Sequence, residues 1–197
     1  MSKKIITVSR EFGSGGRHIA EQVAKRLGYQ YYDKQIIAKV AEETGLSEKF
    51  IEGEGEYAPK QHFLSYAFVG RDQQGLSLGD RMYAAQRKII LDVADKEPCV
   101  IVGRCADEIL KEREECLNVF ICGNVIEKTE RIVRLYNLSE KEAQKKMREI
   151  DKKRSIHYDY YTDQKWGDAR NYSISLNSSD LSYERVIDII CTLAKEL

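Results

Sequence analysis

The chain has 197 residues, 32% of them charged and 42% hydrophobic, the profile of a soluble globular protein long enough to bury a real core in one domain. Lysine plus arginine and aspartate plus glutamate balance at 32 each, so no global field draws in nucleic acid or an anionic membrane, and any anion site must come from local clustering. No apolar run approaches the roughly 18–20 residues of a membrane span. Met1-Ser2-Lys3-Lys4 passes straight into a strand-like run, so no signal peptide is expected and the location is read as cytoplasmic.

In chain order, Ile5–Val8 is a β-branched run that leads into the cluster Gly13-Ser14-Gly15-Gly16. A helix is expected over Gly16–Leu27, with Ile19, Ala20, Val23, Ala24 and Leu27 on its apolar face. A second strand, Tyr29–Tyr32, precedes a helix over Lys34–Thr44, with Asp33 as its N-cap and Gly45 as its stop. Residues 46–79 follow, with five glycines, scattered aromatics and no clean period. A helix over Asp80–Asp95 then precedes the strand Cys99–Val102, and the strand Asn118–Cys122 precedes a helix over Val125–Tyr136. Val100-Ile101-Val102 and Val119-Phe120-Ile121 show no polar alternation, which predicts strands buried on both faces of a parallel sheet. Ser139–Arg154 opens on a capping-box pattern, and 151–171 is an irregular basic, tyrosine-rich stretch. The strand Tyr172–Leu176 and a helix over Ser182–Glu196 close the chain. Strands separated by helices predict a three-layer, doubly wound α/β domain, in which irregular excursions at the carboxyl ends of strands carry ligands. The five cysteines, Cys99, Cys105, Cys116, Cys122 and Cys191, form no C-x-x-C pair and fit free thiols better than disulfides or zinc.

Three constellations point to phosphate chemistry, each with a plainer alternative. Gly13–Gly16, between a strand and a helix, suits a phosphate cradle, because glycines turn successive N–H groups toward one anion and the helix N-terminus adds partial positive charge. The alternative is a tight turn with no ligand. At Gly103-Arg104 a buried strand ends in a residue that permits close approach and one that offers a rigid cationic fork; the alternative is a surface ion pair to Asp107 or Glu108. Arg148, Asp151, Lys152, Lys153, Arg154 and His157, with Arg131 and Arg134 upstream, suit a segment closing over polyphosphate, and otherwise form a solvated helix face.

Together and in this order, Ser9-Arg10-Glu11-Phe12-Gly13-Ser14-Gly15-Gly16, Tyr32-Asp33-Lys34, Gly103-Arg104, Arg148–Arg154 and Asn177-Ser178-Ser179-Asp180-Leu181-Ser182 resemble the cytidylate kinase-like family of nucleoside monophosphate kinases. The resemblance implies one P-loop kinase-type domain over 1–197, with a five-stranded parallel sheet, an acceptor-binding insertion at about 46–80 and a lid at about 148–171. It implies transfer of the γ-phosphoryl of ATP, with Mg²⁺, to a nucleoside monophosphate or a similar small acceptor. By carry-over, Gly13, Ser14, Gly15, Gly16, Arg17 and His18 hold the donor; Asp33, Gly103 and Arg104 face the acceptor; Arg154 and Arg148 reach the transferring phosphate. Gln86-Arg87 falls roughly where relatives read the acceptor. The partners implied are small nucleotides, with no nucleic acid and no membrane.

The chain departs from the family at its first motif. Gly16 stands where the loop lysine belongs and His18 where a hydroxyl would touch Mg²⁺. Arg10 or Arg17 is expected to supply the missing charge, which makes both catalytic candidates, and no protein metal ligand is assigned; His18, His62 and His157 are read as structural. The missing lysine leaves a second reading open, a non-catalytic nucleotide or anion sensor on the same fold. The aromatics Tyr57, Phe63, Tyr66 and Phe68 suit a small subdomain core, base stacking or a homodimer interface.

Overall fold

The computed structural model describes residues 4–49, 51 and 77–196. Five strands form one parallel sheet in the order β2-β3-β1-β4-β5: β1 (Ile5–Arg10), β2 (Gln30–Tyr32), β3 (Cys99–Val102), β4 (Cys116–Cys122) and β5 (Ile174–Asn177). β1 is central, with Ile5 opposite both Cys99 and Cys116 and Val8 opposite both Val102 and Val119. Every residue of β1 and β3 is buried, as their unbroken apolar character requires in a sheet covered on both sides.

Strand alternation sends Ile6, Val8, Val100, Val102, Val119 and Ile121 to one face, where α1 (Gly16–Leu27) and α7 (Tyr183–Glu196) pack Ile19, Val23, Val186 and Ile190 against them. Burying each such side chain stabilises by about 1.5–3 kcal/mol. Ile5, Cys99 and Ile101 point to the other face, which is covered by α2 (Lys34–Thr44), α3 (Leu78–Lys96) and the short α4 (Ala106–Ile109). A smaller cluster of Ile132, Ala143 and Met147, with Phe12 against it, joins α5 (Val125–Tyr136) to α6 (Glu140–Thr162) beside the glycine loop.

Gly28 and Gly45 end α1 and α2 at φ values of 71° and 72°, a left-handed conformation that costs glycine little. Ser139 caps α6 in the expected capping box with Glu142. The remainder of α6 corrects the sequence reading: the helix continues through Thr162, so much of the stretch expected to be irregular is helical and holds Met147, His157, Tyr158 and Thr162 in the interior. The helix before β3 begins at Leu78 because Ser77 and Asp80 form a second capping box. β1 and β4 each run two residues longer than expected, through Arg10 and from Cys116, where the neighbouring strands supply backbone partners, whereas β5 starts two residues later than expected and ends one later, and β2 starts one residue later. Among the described residues no helix is long and apolar enough to cross a membrane, and all five cysteines are free thiols. The aromatics of 57–69, and most of the expected insertion at about 46–80, lie outside the described residues.

Candidate functional site

β1 ends at Arg10 between the carboxyl ends of β3 and β4, and the chain turns there into the loop that opens α1. Gly13 and Gly15 have φ values of 89° and 79°, which glycine adopts at little cost. The Ser14 hydroxyl donates to the Glu11 carbonyl at 2.9 Å and accepts the Gly16 N–H at 3.3 Å, closing the turn on itself. Ser178 Oγ lies 2.7 Å from the Ser14 carbonyl and 2.9 Å from the Cys122 carbonyl, which fastens the β5–α7 connection to the loop. Tyr183 packs on the loop so tightly that a Cβ at Gly15 would lie 2.5 Å from its ring carbon Cζ.

Position 16 has no room for a side chain. A Cβ there would lie 2.6 Å from Cβ of Arg10 and 3.3 Å from Cβ of Ile121. The absent lysine is therefore a built feature of this loop, because the atoms in the way are the root of a strand side chain and not a mobile tip. Arg10 itself is buried and extends away from β1 toward β3, with its guanidinium packed over Gly103.

Arg17, in the first turn of α1, makes a two-point contact with Asp33: Nε lies 2.5 Å from Oδ2 and Nη2 lies 3.3 Å from Oδ1. Asp33 occupies the N-cap position of α2, but its carboxylate makes no capping bond, because Arg17 takes it. Gly103, Arg104 and Cys105 take φ values of 69°, 64° and 53° in succession, a strained left-handed run in the two non-glycines. The buried Gln86 amide holds this run by donating to the Arg104 carbonyl at 3.0 Å. Arg104 is itself buried, not on the surface as the plainer sequence alternative has it. Arg87 is exposed on α3.

Helix α6 lies across the loop. Arg154 Nη1 donates to the Arg10 carbonyl at 3.1 Å, and Asp151 accepts the Phe12 N–H at 2.7 Å. Burial raises the Asp151 carboxyl to about 6, outweighing the Phe12 amide and the Arg154 guanidinium, which act the other way. Arg148 is exposed on the same helix, away from these contacts, and His18 is exposed with its ring 6.1 Å from that of Tyr183. Deeper in the molecule, the Tyr158 hydroxyl donates to Asp107 at 2.6 Å, and burial raises the Asp107 carboxyl to about 6.

Two cavities flank the loop. One of about 260 Å³ brings together Arg10, Gly13, Gly15, Gly16, Arg17, His18, Arg131 and Arg154. The other, of about 390 Å³, lies beyond Gly13 between α5 and α7 and is lined by Lys128, Arg131, Arg134, Ser178, Ser179 and Tyr183. Asp33, Gly103 and Arg104 stand on the β2–β3 side instead, joined to the loop through Arg17 and Arg10. Among the described residues no group of three histidine, cysteine, aspartate or glutamate side chains is placed to hold a metal ion.

The sequence profile of the cytidylate kinase-like family matches residues 5–180. The chain belongs to that family. No curated protein matches it significantly. Among solved structures, an uncharacterized protein from Eubacterium ventriosum ATCC 27560 is 29% identical, with a TM-score of 0.73, covering 96% of this chain and 97% of its own. Shikimate kinase from Bacteroides thetaiotaomicron is 15% identical with a TM-score of 0.53, covering 96% of both chains. Shikimate kinase from Acinetobacter baumannii, solved with shikimate, is 14% identical with a TM-score of 0.53, covering 96% of this chain and 91% of its own. These two kinases share the fold of this family member: a P-loop kinase-type parallel sheet with flanking helices.

Sequence reasoning missed three participants. The buried Lys128 pairs with the partly exposed Glu11 beside the loop, Tyr183 packs on Gly15, and Asp107 pairs with Tyr158. Lys128 is one charged residue among many in a helical pattern, and nothing local separates it from solvated neighbours. Its burial follows from the closeness of α5 to Gly13.

Proposed function

We propose that this protein is an ATP-dependent phosphotransferase that moves the γ-phosphoryl of ATP to a nucleoside monophosphate or a similar small acceptor. The observation that carries the reading is the convergence of Arg10, Arg17, Arg131 and Arg154 with the glycine loop and the start of α1 in one cavity. Four arginines lining a cavity beside a turn of positive-φ glycines make its surroundings cationic, which suits an anion of several charges, and neutralising that charge is the main catalytic task in phosphoryl transfer. In the reaction the acceptor oxygen bonds to the γ-phosphorus as the bond to the bridging oxygen breaks, giving ADP and the phosphorylated acceptor.

The loop fits donor phosphates. Its glycines admit close approach, and the N–H groups at the start of α1 have no carbonyl one turn back. For Mg²⁺ the fit lies in the phosphates rather than in a protein carboxylate cage. Glu11 is engaged by Lys128 and the Gly123 N–H, and Asp33 by Arg17. Mg²⁺ bound there would offset donor charge through phosphate oxygens and water. On this chain Arg17 would link the donor end of α1 to Asp33 on the acceptor side, Arg104 would meet the acceptor, and Arg154 would hold the loop backbone under the donor.

The assay is ADP formation from Mg·ATP by the purified protein against a panel of nucleoside monophosphates including CMP, dCMP and UMP. Turnover with one acceptor well above the no-acceptor rate is expected. Arg154→Ala should lower turnover more than ATP affinity. The exclusion of any side chain at Gly16 favours the second reading, a nucleotide sensor, and ATP binding without turnover on any acceptor would replace the first reading with it.

A further inference from the structure

The closed position at Gly16 raises the question of which cation replaces the loop lysine. Arg10 and Arg17 extend toward the ends of β3 and β2, on the acceptor side. On the donor side, Lys128 is the one lysine among the described residues whose side chain is buried. It belongs to the first turn of α5, and its Cβ and carbonyl oxygen both come within 3.1 Å of where a Cβ at Gly13 would sit, so the helix backs directly onto the loop. Lys128 Nζ donates to Glu11 Oε2 at 2.6 Å, and the same oxygen accepts the Gly123 N–H at 3.1 Å.

An ammonium group carries three donors, and Glu11 uses one of them. Burying a lysine for a single contact is costly, and an apolar pair of similar volume would serve stability as well or better. The Lys128 side chain is only 7% exposed, yet it lines the 390 Å³ cavity beside Gly13, Arg131, Ser178, Ser179 and Tyr183. A desolvated cation with unused donors, pinned against an anion-cradling loop, is placed to receive an anion.

We infer that Lys128 is the donor-phosphate ammonium of this protein, supplied from α5 in place of the loop lysine, and that Glu11 is the positioning residue that holds it against the loop. Lys128 binds non-bridging phosphate oxygens of the donor through the N–H groups Glu11 leaves available. Glu11 fixes its direction, so that the cation is preorganised and needs no rearrangement when the polyphosphate enters. The inference rests on the reading of the loop as a polyphosphate cradle and adds the residue that completes it.

The test is calorimetric binding of inorganic tripolyphosphate, which has no base or sugar, to wild type, Lys128→Met, Lys128→Arg and Glu11→Gln, with turnover on Mg·ATP measured alongside. A lost charge-assisted contact in a desolvated site predicts roughly ten- to a hundredfold weaker binding in Lys128→Met. Lys128→Arg recovers part of the affinity. Glu11→Gln, which keeps the ammonium but loosens it, weakens binding severalfold less than Lys128→Met. A purely structural pair would move none of these constants in a folded protein. Should Lys128→Met fail to fold, the double variant Glu11→Gln/Lys128→Met removes both charges of the pair and carries the same expectation. Loss of tripolyphosphate binding without any wild-type turnover supports the inference and overturns the phosphotransfer reading. Wild-type affinity in folded Lys128→Met or in the double variant overturns the inference, and turnover in that variant leaves the phosphotransfer reading standing.

Discussion

Replacing Gly16 by alanine tests whether the loop is built around the absence of a side chain. The new Cβ would lie 2.6 Å from Cβ of Arg10, where apolar carbons rest at about 3.5–4.0 Å, so β1 and α1 must separate by nearly an ångström at their tightest point. Overpacking of this kind costs about 1–3 kcal/mol. At this first position of α1 alanine returns about 0.5 kcal/mol in helix propensity, leaving a net loss of about 0.5–2.5 kcal/mol. For a chain of this size that lowers Tm by about 1–10 °C. The assay is thermal melting of the single variants and of a double-mutant cycle with position 10. Arg10→Ala keeps the offending Cβ and should not relieve Gly16→Ala, whereas Arg10→Gly removes it and should, giving a favourable coupling of about 1 kcal/mol or more. Gly79→Ala is the control, because its nearest contact is a Tyr161 hydroxyl at 3.3 Å, a mobile tip, and it should melt at or above wild type. A Gly16→Ala protein that melts as wild type refutes the steric argument, and with it the reason given for the missing lysine.

Other expectations follow from the buried polar groups and caps. Burial raises the Asp107 carboxyl from an ordinary 3.8 to about 6, so the folded state binds the proton more tightly than the unfolded chain. The stabilisation from that proton is full below pH 4 and is lost as pH rises through about 6, a swing of about 3 kcal/mol. Urea unfolding of Asp107→Asn against wild type between pH 4 and 7 should show the variant gaining relative stability as pH rises; a constant difference would contradict it. Tyr158→Phe removes the hydroxyl that donates to Asp107 at 2.6 Å and should cost about 1–3 kcal/mol at pH 7, and less at pH 5, where the neutral carboxyl needs its partner less. Ser77→Ala dismantles the capping box of α3 and should cost about 1 kcal/mol in the same unfolding assay, with ATP binding unchanged.

Much of the scaffold was legible in the chain. α1, α2 and α5 run over the residues their apolar spacing and end signals mark, and β3 over the run its β-branched residues mark. Those signals are local, written within a turn or a strand. The sequence marks α6 only to Arg154, because His157, Tyr158 and Thr162 belong to a polar stretch with no clean period; Tyr158 becomes interior where Asp107 on a distant helix meets its hydroxyl. The neighbours of Asp33 in sequence mark it as a cap, and it holds that position, but the group that takes its carboxylate is Arg17 on another helix.

By itself the sequence determined a strand, a glycine turn and a helix in succession, a parallel sheet buried on both faces, and the presence of several cations near a phosphate-type loop. Backbone preference and hydrophobic period decide these, and both act over a few residues. Only the tertiary structure decided the direction in which each cation points. Arg10 crosses to Gly103, Arg17 turns to Asp33, Arg154 holds a backbone carbonyl, and Lys128 lies buried against the loop. The physical reason is range: a flexible side chain takes its direction from the partner it meets, and here the partners lie on strands and helices as far as 144 residues away along the chain.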